Sequence, residues 1–159
     1  MATLPQLVER DIHLLDGTLR EFIAHTEATT VLIIDKGGFL ITHQGDSEQF
    51  DVTTIAALSS GSYLANQTLA NLVHETSFNS VYQQGENLSM FVVNVNEECL
   101  LVVIFKAQVG IGAVKYFATE SLERIAAQLK AAQERNPGAA LDLSALNLAN
   151  TAELFKRKT

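Results

Sequence analysis

The 159-residue chain contains one cysteine, and this scarcity limits its disulfide and redox chemistry. Cys99 has no partner for an internal disulfide, and it lies in an apolar run that is typical of a β-strand. A cysteine in such a run is more often a small buried hydrophobic residue than a reactive thiol. We therefore expect a reducing, cytoplasmic setting for the chain.

Long apolar segments are also missing. The longest apolar run covers residues 99–105, far fewer than the ~18 to 20 residues that a membrane-spanning helix needs. The charged residues Glu9, Arg10 and Asp11 stand where a secretory signal would be apolar. We expect neither membrane insertion nor secretion.

Positive charge is scarce as well. The chain has 11 Lys and Arg residues against 18 Asp and Glu residues, which gives a formal net charge of −7. No stripe of Lys and Arg with interleaved aromatic residues precedes the terminal Lys156, Arg157 and Lys158. A chain with this charge repels a phosphate backbone, so nucleic acid is not an expected partner.

Motifs for cofactors and metals are weak. Gly110 and Gly112 resemble the start of a dinucleotide-binding loop, but Lys115 replaces the third glycine, and a loop-to-helix junction is the simpler interpretation. The four histidines lack the spacing of a zinc site and have no cysteine partners beyond Cys99; they are His13, His25, His43 and His74. We predict no cofactor and no metal.

A catalytic group is not evident either. The serines of the Ser59-Ser60-Gly61-Ser62 segment lie inside a predicted helix and not at the strand-to-helix turn of a nucleophile elbow. Glu97 and Glu98 fall in a predicted hairpin turn, where a solvated charge is the usual state. We therefore do not expect an enzyme.

The element order is the clearest positive signal. Thr3 as an N-cap and Pro5 at the first turn predict a first helix that ends near His25 or Thr26. Two strands, residues 30–34 and 39–42, flank Asp35-Lys36-Gly37-Gly38, where a glycine with positive φ suits a hairpin turn. A second helix over residues 52–74 then precedes strands over residues 79–83, 88–95 and 99–105 and a third helix from Ile111.

This order, α-β-β-α-β-β-β-α, predicts an α+β domain with one five-stranded antiparallel sheet between helices. Asn136-Pro137-Gly138 ends the third helix, so we place the domain at residues 1–136 and a carboxy-terminal extension at residues 137–159. Leucines and Phe155 in the extension predict a short accessory helix.

The second helix has two stripes. One is apolar (Ile55, Leu58, Ala65, Leu69 and Leu72), and the other has small or amphipathic residues (Ala56, Ser59, Ser60, Tyr63, Gln67 and Ala70). Gly61 between them costs roughly 1 kcal/mol relative to alanine, and close approach of another backbone is the usual reason for such a glycine. The helix either only covers its own sheet or also packs on a partner subunit, and we favour the partner.

We accordingly predict a homodimer. Its expected contacts are Ala56, Ser59, Ser60, Tyr63 and Gln67 on the second helix, together with Asn79, Val81 and Gln83 on a strand that pairs with its symmetry mate.

Several segments together resemble the roadblock family of dynein light chains and bacterial GTPase regulators. They are the hairpin VLIIDKGGFLIT, the turn QQGENLSMFVV and the strand VIF with its run into GIGAVKYFATESLERIA, and the resemblance covers residues 11–133. Within the family the chain is most similar to the bacterial MglB type. The resemblance implies dimers whose sheets join edge to edge, with the second helices of both subunits side by side.

The same resemblance implies a regulator that binds a Ras-like small GTPase and speeds GTP hydrolysis without inserting an arginine. The expected GTPase-binding residues are Tyr63, Asn66, Gln67 and Ala70, because they form a mixed apolar and polar patch on the outer stripe of the second helix, which suits a reversible interface. A protein that only scaffolds the GTPase would have the same pattern. The alternative is an adaptor without a GTPase, in a motor or signalling assembly.

Overall fold

The computed structural model describes residues 4–135, so Thr3 and the carboxy-terminal extension with its predicted accessory helix lie outside the described residues. In chain order the elements are α1 (Glu9–Thr26), β1 (Thr30–Asp35), β2 (Leu40–Gly45), α2 (Val52–Leu72), β3 (Ser80–Gln84), β4 (Leu88–Asn94), β5 (Cys99–Lys106) and α3 (Ile111–Arg135). This order confirms the predicted α+β fold.

The strands form one antiparallel sheet in the order β2-β1-β5-β4-β3. The central strand β5 pairs with β1 and β4, so that Val103 lies opposite both Val31 and Phe91. Strands β2 and β3 each have one neighbour and form the two edges of the sheet.

Alternate residues of β1 and β5 divide the core into two layers. Val31, Ile33 and Val103 pack with α1 and α3, whereas Leu32 and Val102 point to the opposite face and pack with α2. Both strands are therefore buried on both faces, which explains why their sequences are continuous apolar runs instead of alternating ones. Each such side chain contributes roughly 1.5–3 kcal/mol when it is fully buried.

Helix α1 begins later than the sequence prediction. Pro5 precedes the helix, and the N-cap is Val8, which has no side-chain acceptor. Instead, Asp11 Oδ2 accepts a hydrogen bond from the Val8 backbone N–H at 2.9 Å and so satisfies a free donor of the first turn. The prediction from Pro5 was wrong because a carboxylate inside the helix, and not a residue before it, sets the start.

Asp11 also ties α1 to the end of α3. Its carboxylate is buried and accepts hydrogen bonds from Arg135 Nη2 at 2.6 Å and from Gln128 Nε2 at 2.9 Å. Hydrogen bonding to the Arg135 guanidinium is the main reason that the pKa of Asp11 falls to about 2. The folded chain therefore favours the ionised carboxylate.

The β1–β2 turn confirms that one of the two glycines has positive φ. Gly38 has φ +97°, and a Cβ added there would lie 3.2 Å from Ala57 Cα of α2. The turn is also fixed by the Gly37 N–H, which donates to Asp35 Oδ1 at 2.6 Å. Gly38 therefore allows both the turn and the close contact with α2.

The Asp11 carboxylate predicts a pH dependence of stability. Because its folded pKa of about 2 lies below the ordinary value of 3.8, its stabilisation is complete above about pH 4 and is lost as pH falls towards 2. We expect Asp11→Asn to lower the free energy of unfolding at pH 7 and the deficit to shrink between pH 4 and 2, as measured by urea denaturation. Glu48→Gln, at an exposed loop carboxylate, is the control; an equal deficit at all pH values would contradict the assignment.

Gly38 provides a second stability prediction. Gly38→Val should lower the free energy of unfolding by more than the ~1 kcal/mol of an average substitution, because a β-branched residue is strained at positive φ and its Cβ crowds Ala57. Thermal or urea unfolding measures the effect, and Lys36→Gln in the same turn should change stability little. Similar small losses for both variants would show that the turn tolerates any residue.

Candidate functional site

Helix α2 differs in composition from α1 and α3. None of its 21 residues is charged, although it lies on the surface of the described chain. Its start is capped by Asp51, whose Oδ1 accepts from the Thr54 N–H at 3.1 Å. A helix without charges on either side is typical of one that is covered on both sides.

The inner face of α2 carries small residues together with Tyr63, which reverses the sequence prediction. Ala56, Ser59, Ser60, Tyr63 and Ala70 are all buried in the single chain. Ser60 Oγ donates to the Lys36 backbone carbonyl, and Lys36 Nζ lies 5.7 Å from the centre of the Tyr63 ring. Burial raises the pKa of Tyr63. These side chains join α2 to its own sheet and are buried in the single chain, whereas contacts with a partner or a GTPase were predicted for them.

Two further predicted residues are held within the chain. Gln67 Nε2 donates to the Phe78 carbonyl at 2.5 Å, and Asn66 Nδ2 donates to the Ser62 carbonyl at 2.8 Å. Both side chains are half-buried. The mixed patch predicted from Tyr63, Asn66, Gln67 and Ala70 is therefore not a fully exposed surface in the single chain.

The outer face of α2 is apolar and exposed. Leu58, Leu64, Leu69 and Leu72, together with Val73 just beyond the helix, are between 50% and 71% exposed, and we name them the leucine face. Helical geometry places Gly61 near the middle of this face, at about 100° per residue. An added Cβ at Gly61 would meet nothing within 4 Å, so the chain itself gives no steric reason for the glycine.

Sequence reasoning missed this face because leucines usually indicate a core. The sheet surface under α2 is already filled by large aliphatic residues, including Leu32, Ile34, Leu100 and Ile104. Small residues let most of the helix approach such a surface closely, and Tyr63 is the one large side chain among the buried residues of α2. The sequence did contain a signal for the inward face of α2. The continuous apolar runs of β1 and β5 place large residues in both layers, so the helix that covers one of them alone needs small contact residues.

Strand β3 forms the sheet edge on the same side of the chain as the end of α2. It pairs only with β4, and the Gln67–Phe78 hydrogen bond connects α2 to the segment that enters it. Asn79 and Gln83 are exposed and Val81 is half-buried, so these three residues remain accessible for the predicted strand pairing. An unpaired edge of this kind presents free backbone donors and acceptors.

The described part of the chain contains no metal-ligand cluster and no exposed cysteine. Residues 4–135 contain no cluster of three or more His, Cys, Asp or Glu side chains that could hold a metal ion. Cys99 is fully buried, and burial raises the pKa of its thiol, so the thiolate needed for nucleophilic attack is disfavoured. No helix among these residues is long and apolar enough to cross a membrane.

The comparisons with known proteins agree with this fold. A family model described as the Roadblock/LC7 domain matches residues 14–105. A solved structure described as MglB with a tetrameric arrangement is 27% identical, with a TM-score of 0.76 over 83% of this chain and 99% of that one. No curated protein sequence matches the chain.

Two further solved structures are similar. The gliding protein MglB from Thermus thermophilus is 27% identical, with a TM-score of 0.74 over 82% of this chain and 98% of that one. MglB from Myxococcus xanthus is 24% identical and shares the fold, with a TM-score of 0.74 over 80% of this chain and 96% of that one.

Proposed function

We propose that this chain, which belongs to the Roadblock/LC7 domain family, is a dimeric regulator that binds a Ras-like small GTPase through the α2 side of the sheet. The observation that carries the proposal is the leucine face, an uncharged apolar surface on a chain whose net charge is −7. Exposed apolar patches on soluble proteins usually mark sites of protein–protein contact. The similarity to MglB proteins supports the choice of partner.

Dimerisation is the first step of the proposal. Two copies related by a two-fold axis would bring their α2 helices together at Gly61, where the open space admits a second backbone. The leucines on either side would then lose contact with water, each contributing up to roughly 1.5–3 kcal/mol. The hydrogen bond that connects α2 to the segment entering β3 supports the pairing of this free edge with its symmetry mate in the same assembly.

The predicted contact set changes accordingly. The proposed contacts are now Leu58, Gly61, Leu64 and Leu69 with the β3 residues Asn79, Val81 and Gln83, because Ala56, Ser59, Ser60 and Tyr63 already pack inside the chain.

The mechanism proposed for the GTPase is conformational. Arg124 and Arg135 form salt bridges with Glu21 and Asp11, which lowers the pKa of both carboxyls. Arg10 and Arg20 lie on α1, on the opposite side of the sheet from α2. An arginine finger must reach the nucleotide from the binding surface, so these positions favour a regulator that reshapes the GTPase without inserting an arginine.

The dimer is tested by mass in solution. Light scattering at micromolar concentration should give about twice the chain mass of 17.3 kDa. Leu58→Asp should yield monomers because a carboxylate in the apolar contact must lose its water. Leu14→Asp, the same change at an exposed leucine of α1, should leave the dimer intact. A monomeric unmodified chain, or equal dissociation of both variants, would reject the dimer contact.

The GTPase is tested with the Ras-like protein encoded nearest to this gene, loaded with GDP or a non-hydrolysable GTP analogue. We expect tighter binding to the GTP form and faster GTP turnover. Leu72→Ala, at the end of the leucine face, should weaken binding by ~1–3 kcal/mol while the dimer mass is retained, and Leu14→Ala is the matched control.

The outcomes separate the candidate functions. Binding without faster turnover would leave a scaffold, and the absence of any nucleotide-dependent binding would favour the adaptor. Loss of stimulation on replacing any one arginine, with binding retained, would contradict the conformational mechanism; the five are Arg10, Arg20, Arg124, Arg135 and Arg157.

A further inference from the structure

A second surface lies across the sheet from α2, between the end of α1 and the first half of α3. It is a groove of ≈ 480 Å³ lined by His25, Tyr116, Phe117, Thr119, Glu120 and Glu123. The His25 and Phe117 rings are stacked, with centroids 5.1 Å apart and planes 6° apart. The Tyr116 ring meets Phe117 edge-on at 5.1 Å.

Tyr116 is not needed for the core. It is 75% exposed, whereas the neighbouring Phe117 is half-buried and packs against the α1/α3 layer. An exposed aromatic ring that is held in place by a second ring presents a rigid face at little entropic cost. Such rings usually serve as contact residues for a partner.

The charges beside Tyr116 indicate what that partner carries. Glu120 and Glu123 follow Tyr116 at i+4 and i+7, so the ring and the two carboxylates share one face of α3. Neither carboxylate belongs to the two salt bridges found within residues 4–135, although Glu120, after the larger effect of Glu21, also raises the pKa of Arg124. An aromatic face next to carboxylates fits a Lys or Arg side chain, through cation–π contact and ion pairing.

We propose that the carboxy-terminal residues 155–158 of this chain occupy the groove. Their sequence is Phe155-Lys156-Arg157-Lys158, three consecutive cations after an aromatic residue, in a chain with only 11 Lys and Arg residues in total. The cations complement Glu120 and Glu123, and Phe155 complements the aromatic wall. The tail therefore carries, on the same polypeptide, both the cationic and the aromatic side chains that the groove can bind.

The length of the tail allows this contact. Tyr116 lies about 28 Å from Arg135 along α3, at ~1.5 Å per residue. Residues 136–155 can extend up to about 66 Å, at ~3.3 Å per residue. The tail can thus reach the groove of its own chain. Tethering raises its local concentration to roughly the millimolar range, enough for contacts that are weak individually.

The chain has no tryptophan, which makes the contact measurable in the full-length protein. Phe155→Trp introduces a single indole at the proposed contact. We expect its emission to be blue-shifted and its acrylamide quenching to be slower than in the same chain that also carries Tyr116→Ala, Glu120→Gln and Glu123→Gln. Glu48→Gln with Glu86→Gln removes equal charge from exposed sites elsewhere and should leave the indole shielded.

A free peptide of residues 150–159 provides the second measurement. Added to the full-length Phe155→Trp chain, it should displace the tail and expose the indole, and Tyr116→Ala should weaken its binding about fivefold. Far-ultraviolet circular dichroism checks that each variant is folded. The proposal would be overturned if the indole were equally shielded with and without the three groove substitutions. It would also be overturned if the Glu48→Gln and Glu86→Gln control exposed the indole as much as those substitutions do, or if the peptide failed to displace the tail.

Discussion

The burial of β1 and β5 on both faces is the constraint on which the rest of the structure depends. These two strands lie at the centre of the sheet and place large aliphatic side chains in both layers. Helices α1 and α3 together cover one layer, whereas α2 alone covers the other. A single helix fits closely over a surface of leucines, isoleucines and valines when most of its buried contact residues are small. The serines and alanines of α2 meet this requirement, and its leucines are left on the outside.

The two sides of the sheet therefore have different chemical characters. The α1/α3 side carries the buried Asp11 carboxylate, both salt bridges and the exposed Glu120 and Glu123. The α2 side has no charge along the whole helix. This separation allows an apolar contact to form along α2 without the burial of a charged side chain of that helix.

Local signals in the sequence predicted the fold well and the site only in part. Hydrophobic periodicity located all three helices, and the Gly37-Gly38 pair located the first hairpin. The start of α1 was missed because Asp11 caps from within the helix. Periodicity also separated the two stripes of α2, but it cannot tell which stripe faces inwards. Which stripe packs on the sheet depends on the size of the side chains in β1 and β5, and these strands are distant from α2 in sequence. Apolarity alone predicted that the leucines would pack inwards.

The pairing of Asp11 with Arg135 has a mechanical consequence. Arg135 is the last residue of α3, and its guanidinium is bound to a buried carboxylate in the first turn of α1. A pull on residues 136–159 is therefore not borne by the final turn of α3 alone, since the force passes through this ion pair into α1 and the packed layer beneath it. Unwinding of the last described turn of α3 would therefore also require the loss of this ion pair.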